Sequence, residues 1–433
     1  MSDTAKPQLI RAIGRWTLAA LVVNSIIGSG IFGMPDDIAR LLGPAAPYAY
    51  LIAAAGIGII MACFAEVGSQ FSEAGGPYLY ARETFGQFAG VQMGWFAWLV
   101  RLTSAAANAN IFVLYLGEFW KEATSPAPRA FILTLVLCAL ALVNVRGVRA
   151  GAQVSNFFTA AKLAPLAIFV VAGFWFVGGK ISVGASPAGM NDWMAAVLAL
   201  IFAYGGFESA LMPMGEVKNP RRDTPFALFV ALATCAVFYS LIHLVVMGAL
   251  ADPGASERPL ADAARVFLGN AGAGLVALGA MVSTYGYLSG QFVSAPRLTY
   301  AFAERRDFPP FFAAVHPKFR TPYVSILVYT VLELALAIYG SFIWNAILSS
   351  VARLFTYGLV CAALIRLRVT RPYADAFRLP AGWLFALAGI AFCVVMLLQM
   401  NTAHLKIVIA VAVVALVNWL LARRGAKRDS ATP

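Results

Sequence analysis

Apolar runs of about 20 residues recur along the chain from Trp16 to Leu421, each ended by a short polar break. They begin near residues 16, 47, 88, 129, 153, 192, 225, 266, 322, 342, 380 and 403. A helix of about that length crosses the hydrocarbon core, and only a helix satisfies its own backbone there. The pattern therefore predicts an all-α membrane protein of about 12 transmembrane helices. The polar stretch 1–15 reads as a tail. The apolar run after it is too long for a signal peptide and lacks a small-residue cleavage site, so the first span is expected to remain in the mature protein.

The pattern also repeats on a larger scale. Gly28, Ser29 and Gly30 precede Met34-Pro35 much as Gly205-Gly206 precede Met212-Pro213, at an offset of 178 residues. Spans one and six thus share a small-residue break followed by proline. Five spans separate the copies, so the second enters the membrane from the opposite side. This predicts an inverted repeat, with spans one to five over 16–178, six to ten over 192–367, two further spans over 380–423 and a tail over 424–433. A helix interrupted in hydrocarbon leaves N–H and C=O groups unpaired unless they line a cavity or meet a ligand. Glycine permits the unwound dihedrals and a close approach. Paired breaks therefore mark a site, although Gly and Pro in membrane helices also serve packing and kinks.

Composition sharpens this picture. With 61% hydrophobic and 12% charged residues, and a mean hydropathy of +0.78, a soluble fold is excluded. The net charge of +12 raises the possibility of nucleic acid, but the basic residues occupy short loops. Alternate loops carry 22 on the side of both termini and 7 on the other, with Arg101, Lys162 and Arg353 inside spans. By the positive-inside rule both termini are expected in the cytoplasm, in a multi-pass protein of the cell membrane with no nucleic-acid partner. Cys63, Cys138, Cys235, Cys361 and Cys393 lie singly in apolar segments and read as small hydrophobes, so neither disulfides nor structural zinc are expected.

Several ordered motifs then resemble one family. GSGIF at Gly28 to Phe32, FAYGGFE at Phe202 to Glu208, KNPRRDTP at Lys218 to Pro225, SEAGGPYLY at Ser72 to Tyr80 and the region from Pro296 to Pro322 are similar to the amino acid-polyamine-organocation superfamily of permeases. The second motif resembles the L-type amino acid transporter branch. The likeness runs from about Trp16 to Arg423. It implies the five-plus-five leucine-transporter-like fold with broken helices one and six. It also implies a substrate carboxylate on the N–H groups around Gly28, Ser29 and Gly30, and an ammonium near the carbonyls of Ile26 and of Phe202 to Tyr204. Half-helix termini carry the matching partial charges, which supports that assignment on physical grounds. The expected substrate-binding set is Ile26, Ile27, Gly28, Ser29, Gly30, Ile31, Phe202, Ala203, Tyr204, Gly205, Gly206 and Phe207.

Phe202 matches an aromatic that such transporters use as a gate, and Tyr285 is a second candidate; either could instead simply pack. The resemblance gives Lys162 the place where sodium-coupled relatives bind a cation, so its ammonium can stand in for sodium. A proton-coupling role and a snorkelling residue near the membrane face remain open alternatives. Glu208, two residues past the second break, either senses protons, binds a cationic substrate or hydrogen-bonds the unwound backbone. Arg101 lies in mid-span and is expected to meet a carboxylate, with Glu66, Glu208 and Glu333 as candidates. No cysteine lies between Gly117 and Arg129, where heterodimeric relatives link to a heavy subunit. A chain working without a covalent heavy-chain partner, as monomer or homodimer, is therefore expected. Phe207 stands where the family often has Trp, which puts substrate preference in doubt.

The combined expectation is a secondary active amino acid transporter, sodium-independent, working by proton symport or amino acid exchange. Small residues around the breaks favour neutral amino acids, and Glu208 keeps cationic amino acids and polyamines open. Spans one, two, six and seven would rock against the remainder. No cofactor and no metal are expected, and no GxxxxGK[ST] motif occurs. A membrane enzyme would need a catalytic set, yet His243, His316 and His404 are widely separated. A non-transporting amino acid sensor would keep the site but would ordinarily add a signalling domain.

Overall fold

The computed structural model describes residues 11, 13–71, 75–147, 152–181, 183–212, 214–371 and 376–429; the side chains of 152–161, 180, 215 and 424–429 are outside that description. The stretch 1–10, residues 72–74 of the SEAGGPYLY motif and Pro213 of the second Met-Pro pair also lie outside the described residues.

Helices form wherever the apolar runs stand. The first broken element consists of α1 (Arg15–Ile26), α2 (Gly30–Gly33) and α3 (Pro35–Leu42), followed by α4 (Ala46–Ser69), α5 (Gly76–Phe85) and α6 (Gln87–Leu116). Next come α7 (Pro126–Arg146) and α8 (Ala152–Val177), then the second broken element, α9 (Met190–Tyr204) and α10 (Phe207–Ala210). The rest comprises α11 (Pro220–Ala249), α12 (Pro259–Glu304), α13 (Tyr323–Tyr339), α14 (Phe342–Thr370), α15 (Gly382–Leu397) and α16 (Thr402–Asp429). Proline stands in the first two positions of α3, α4, α5, α7, α11 and α12, where its missing N–H costs nothing and its fixed φ suits the helix.

Among the described residues, nine stretches are long and apolar enough to cross a membrane, and three shorter apolar helices lie at Lys162–Val177, Tyr323–Tyr339 and Gly382–Leu397. The expected starts agree with the helices to within a few residues except in two places. α11 begins at Pro220, ahead of the apolar run, because proline at its first position starts the helix in the polar KNPRRDTP segment. α12 begins at Pro259 because a preceding segment joins the span across Gly269, whose φ of 65° breaks the helical run.

α11 contacts α1 and α4, and α4 contacts α9; α6 contacts α12, α13 and α14, and α7 contacts α13, while α14 also packs on α4 and α9 and so joins the two sets. α6 lies deepest, with 83% of its apolar stretch buried, whereas that of α16 is only 17% buried and faces outward along α6. At one end of the bundle Ile13 pairs with Val217, tying the start of α1 to the segment after α10.

Candidate functional site

The two breaks lie against each other, and glycine makes this contact. α1 stops at Ile26, Ile27 is extended, and α2 starts at Gly30; α9 stops at Tyr204 and Gly205 is extended. Gly206 has a φ of 110°, and a Cβ there would stand 2.2 Å from the Ser25 carbonyl oxygen. A Cβ on Gly30 would fall 2.8 Å from Ala203 Cα. Both contacts are too short for any side chain. Gly28 differs: a Cβ there would come no closer than 3.9 Å to Asn108 Oδ1 and to the Ile26 carbonyl, an ordinary van der Waals contact.

The backbone polar groups of the breaks are partly satisfied from other helices. Lys162 on α8 is 7% exposed, and its Nζ donates to the carbonyls of Asn24 at 2.6 Å and Ile27 at 2.7 Å. The ammonium thus sits at the C-terminal end of α1, where the helix dipole is negative. The Tyr239 hydroxyl, from α11, lies 3.2 Å from the Ile26 carbonyl and 3.1 Å from that of Ala203, and so bridges the two breaks. Among the described residues, the N–H groups of Gly28 and Ser29 meet no acceptor. Ser29 Oγ and Asn108 Oδ1 are also buried without a partner beside them. Unpaired donors at the start of α2, with bridged carbonyls at the end of α1, make this a polar point in an otherwise apolar bundle.

Glu208 does not stand free at the second break. Its Oε1 accepts from Arg353 Nε at 2.9 Å, and its Oε2 accepts from the Gly206 N–H at 2.9 Å and the Tyr357 hydroxyl at 3.0 Å. Arg353, on α14, donates further to Ser349 Oγ at 2.6 Å and Ser104 Oγ at 3.2 Å. Its guanidinium lies 5.8 Å from the centre of the Phe202 ring, which also meets Phe342 edge-on at 6.0 Å. The acid, the arginine, Phe202 and the unwound backbone form one connected cluster.

Other sequence expectations meet different neighbours. The Phe207 ring is fully buried between Phe64 and Tyr357, at 5.1 Å and 5.3 Å. Tyr285 is 39% exposed. Tyr287, two residues later and therefore about 200° around the helix, is the one that lines a cavity with Glu208 and Arg353. The carboxylate expected for Arg101 is corrected: its Nη1 donates to Gln291 Oε1 at 3.2 Å and Ser294 Oγ at 3.3 Å, both neutral. The acids have other neighbours, Glu66 pairing with Arg368 at 2.6 Å and Glu208 with Arg353, while Glu333 sits buried on α13. Sequence reading gave no role to Arg353, Tyr239 or Tyr357. For Arg353 a signal existed, a charge inside an apolar run, but its partner lies 145 residues away.

A helical bundle with two facing helix breaks, bracing cations and unpaired polar groups between them defines a polytopic membrane transporter of the broken-helix class. Residues 13–421 match the model of the amino acid permease family, and the chain belongs to that family. It is 32% identical over 342 residues to the serine/threonine exchanger SteT of Bacillus subtilis, covering 73% of this chain and 74% of that protein. The methylthioribose transporter of the same organism is 26% identical across 98% of this chain and 96% of its own length. A vacuolar cationic amino acid transporter of Arabidopsis thaliana is 26% identical, covering 84% of this chain and 64% of that protein.

Proposed function

We propose that the chain is a sodium-independent carrier of neutral amino acids that works by alternating access, with both termini on the cytoplasmic side of the cell membrane. In this reading the repeats 16–178 and 192–367 form the two halves. The substrate carboxylate docks on the N–H groups from Gly28 to Gly30, and its ammonium on the carbonyls of the breaks. Lys162 fills the place of a sodium ion, and Phe202 closes over the site.

The observation that carries the substrate class is the pairing of Glu208. A carboxylate meant for a cationic side chain must be available to it, whereas this one is held by Arg353, the Gly206 N–H and the Tyr357 hydroxyl. The pair contributes no net charge, and a zwitterion adds none. This favours neutral substrates over the cationic amino acids named for the plant relative, and accords with the serine and threonine of the bacterial exchanger. That exchanger also supports counter-transport as the mode.

The test is uptake by purified protein in liposomes with labelled neutral, acidic and cationic amino acids, varying sodium, proton and internal amino acid gradients separately. Saturable, sodium-indifferent uptake of small neutral amino acids is expected, stimulated by internal amino acid. Preferential uptake of lysine or arginine would overturn the substrate class. Binding without flux under every gradient would replace the carrier by a sensor.

A further inference from the structure

A small cavity lies beside the second break, bounded by Arg101 and Val100 on α6, Tyr287 and Gln291 on α12, and Thr356 on α14, with Glu208 and Arg353 at its wall. We propose that it is a binding site for a small anion, a halide or a carboxylate group, held by Arg101.

The argument begins with charge. Glu208 and Arg353 neutralise each other at 2.9 Å. Tyr78, another wall residue, donates to Asp307, which also pairs with Arg82 at 3.0 Å. Among the described wall residues, Arg101 is left without a carboxylate partner. It is 8% exposed, and among the described residues it donates only from Nη1, to Gln291 and Ser294. A guanidinium carries five donors in a planar fork and keeps its proton, so Nε and Nη2 remain without an acceptor. A buried cation held by two neutral groups is poorly compensated, and an anion on the free edge of the fork supplies what is missing.

Size selects the ligand. The free volume of the cavity is about 30 Å3, enough for one or two water-sized groups. A halide or a carboxylate end fits, whereas a complete amino acid does not in this conformation. Planar, bidentate recognition is what arginine provides for carboxylates. The occupant is then either a free inorganic anion or the carboxylate of a substrate passing the second break. The site stands whichever amino acid the carrier moves.

The experiment uses the purified full-length chain in detergent, with methanesulfonate replaced stepwise by chloride or acetate at constant ionic strength. The readouts are the unfolding midpoint and tryptophan emission, since Trp98 lies one turn from Arg101 on α6. A saturable rise in midpoint with a matching emission change is expected for the wild type, lost in Arg101→Gln and weakened in Arg101→Lys. A response to chloride and acetate alike identifies a general small-anion site; a response to acetate alone identifies a carboxylate site. Absence of a saturable wild-type response to both would overturn the proposal, whether or not the variants fold. An unaltered response in both arginine variants would overturn the assignment to Arg101.

Discussion

Replacing Arg353 by glutamine removes the cation from a buried pair and leaves Glu208 to the Gly206 N–H and the Tyr357 hydroxyl. Arg353 is only 4% exposed, so the ion pair that is lost is a buried one. Losing one partner of such a pair costs about 3–5 kcal/mol, and the two remaining hydrogen bonds put Glu208 near the lower end, about 3 kcal/mol. That is a large fraction of the ~5–15 kcal/mol that holds a typical domain folded. The double variant Glu208→Gln/Arg353→Gln removes both charges and should recover most of the loss. Selectivity should move as well. A freed carboxylate ~5 Å from the side-chain cation of a substrate attracts it by roughly 3 kcal/mol at an effective dielectric constant of 20. Desolvation consumes part of this, leaving about a tenfold gain in affinity for a cationic side chain. The assays are detergent melting and inhibition of neutral uptake by lysine. A lower midpoint, restored in the double variant, and new inhibition by lysine in Arg353→Gln are expected. A single variant that melts and transports like wild type would refute the reasoning.

The remaining predictions concern the breaks. Lys162→Ala removes two charge-assisted hydrogen bonds of about 1.5–3 kcal/mol each from the end of α1; transport in liposomes should fall severely in protein that still elutes as a folded species, and unchanged flux would remove the sodium-substitute role. Tyr239→Phe deletes the hydroxyl between the Ile26 and Ala203 carbonyls, with a stability loss of about 1 kcal/mol and slower exchange; wild-type rates would show that the bridge is dispensable. Gly30→Ala should destabilise by roughly 1–3 kcal/mol because its Cβ meets Ala203, whereas Gly28→Ala should fold normally and Gly28→Leu should fold but bind no substrate. Normal binding by Gly28→Leu, followed by scintillation proximity, would place the substrate elsewhere. Phe202→Ala should slow translocation more than binding, and equal losses in both would argue against a gate.

Much of the fold was legible because membrane insertion is a local, one-dimensional constraint. Each span must present about 20 apolar residues in sequence, so counting runs locates the helices. The breaks were legible for a related reason, since Gly28, Gly30, Gly205 and Gly206 mark backbone that is free to leave the helix and to pack closely, at matching places along the chain. Lys162 stood out because a cation in an apolar run is costly, and that cost depends only on its own position.

Tertiary structure decided which groups meet. Glu208, Glu66 and Glu333 are equivalent partners for Arg101 on paper, since sequence distance says nothing about which helices touch. Packing of α14 against α6 and α9 gave Glu208 to Arg353, and left Arg101 on neutral acceptors. The same holds for Tyr239, an ordinary aromatic in an apolar run until α11 packs on α1 and its hydroxyl reaches both breaks. Tyr285 and Tyr287 differ by two positions, but a helix turns about 200° over that interval. Only the packing of α12 determines which of the two faces the cavity. Where hydrocarbon acts on one residue at a time, the sequence alone determined the outcome; where charge and hydrogen bonding act between residues far apart in the chain, it took the assembled bundle.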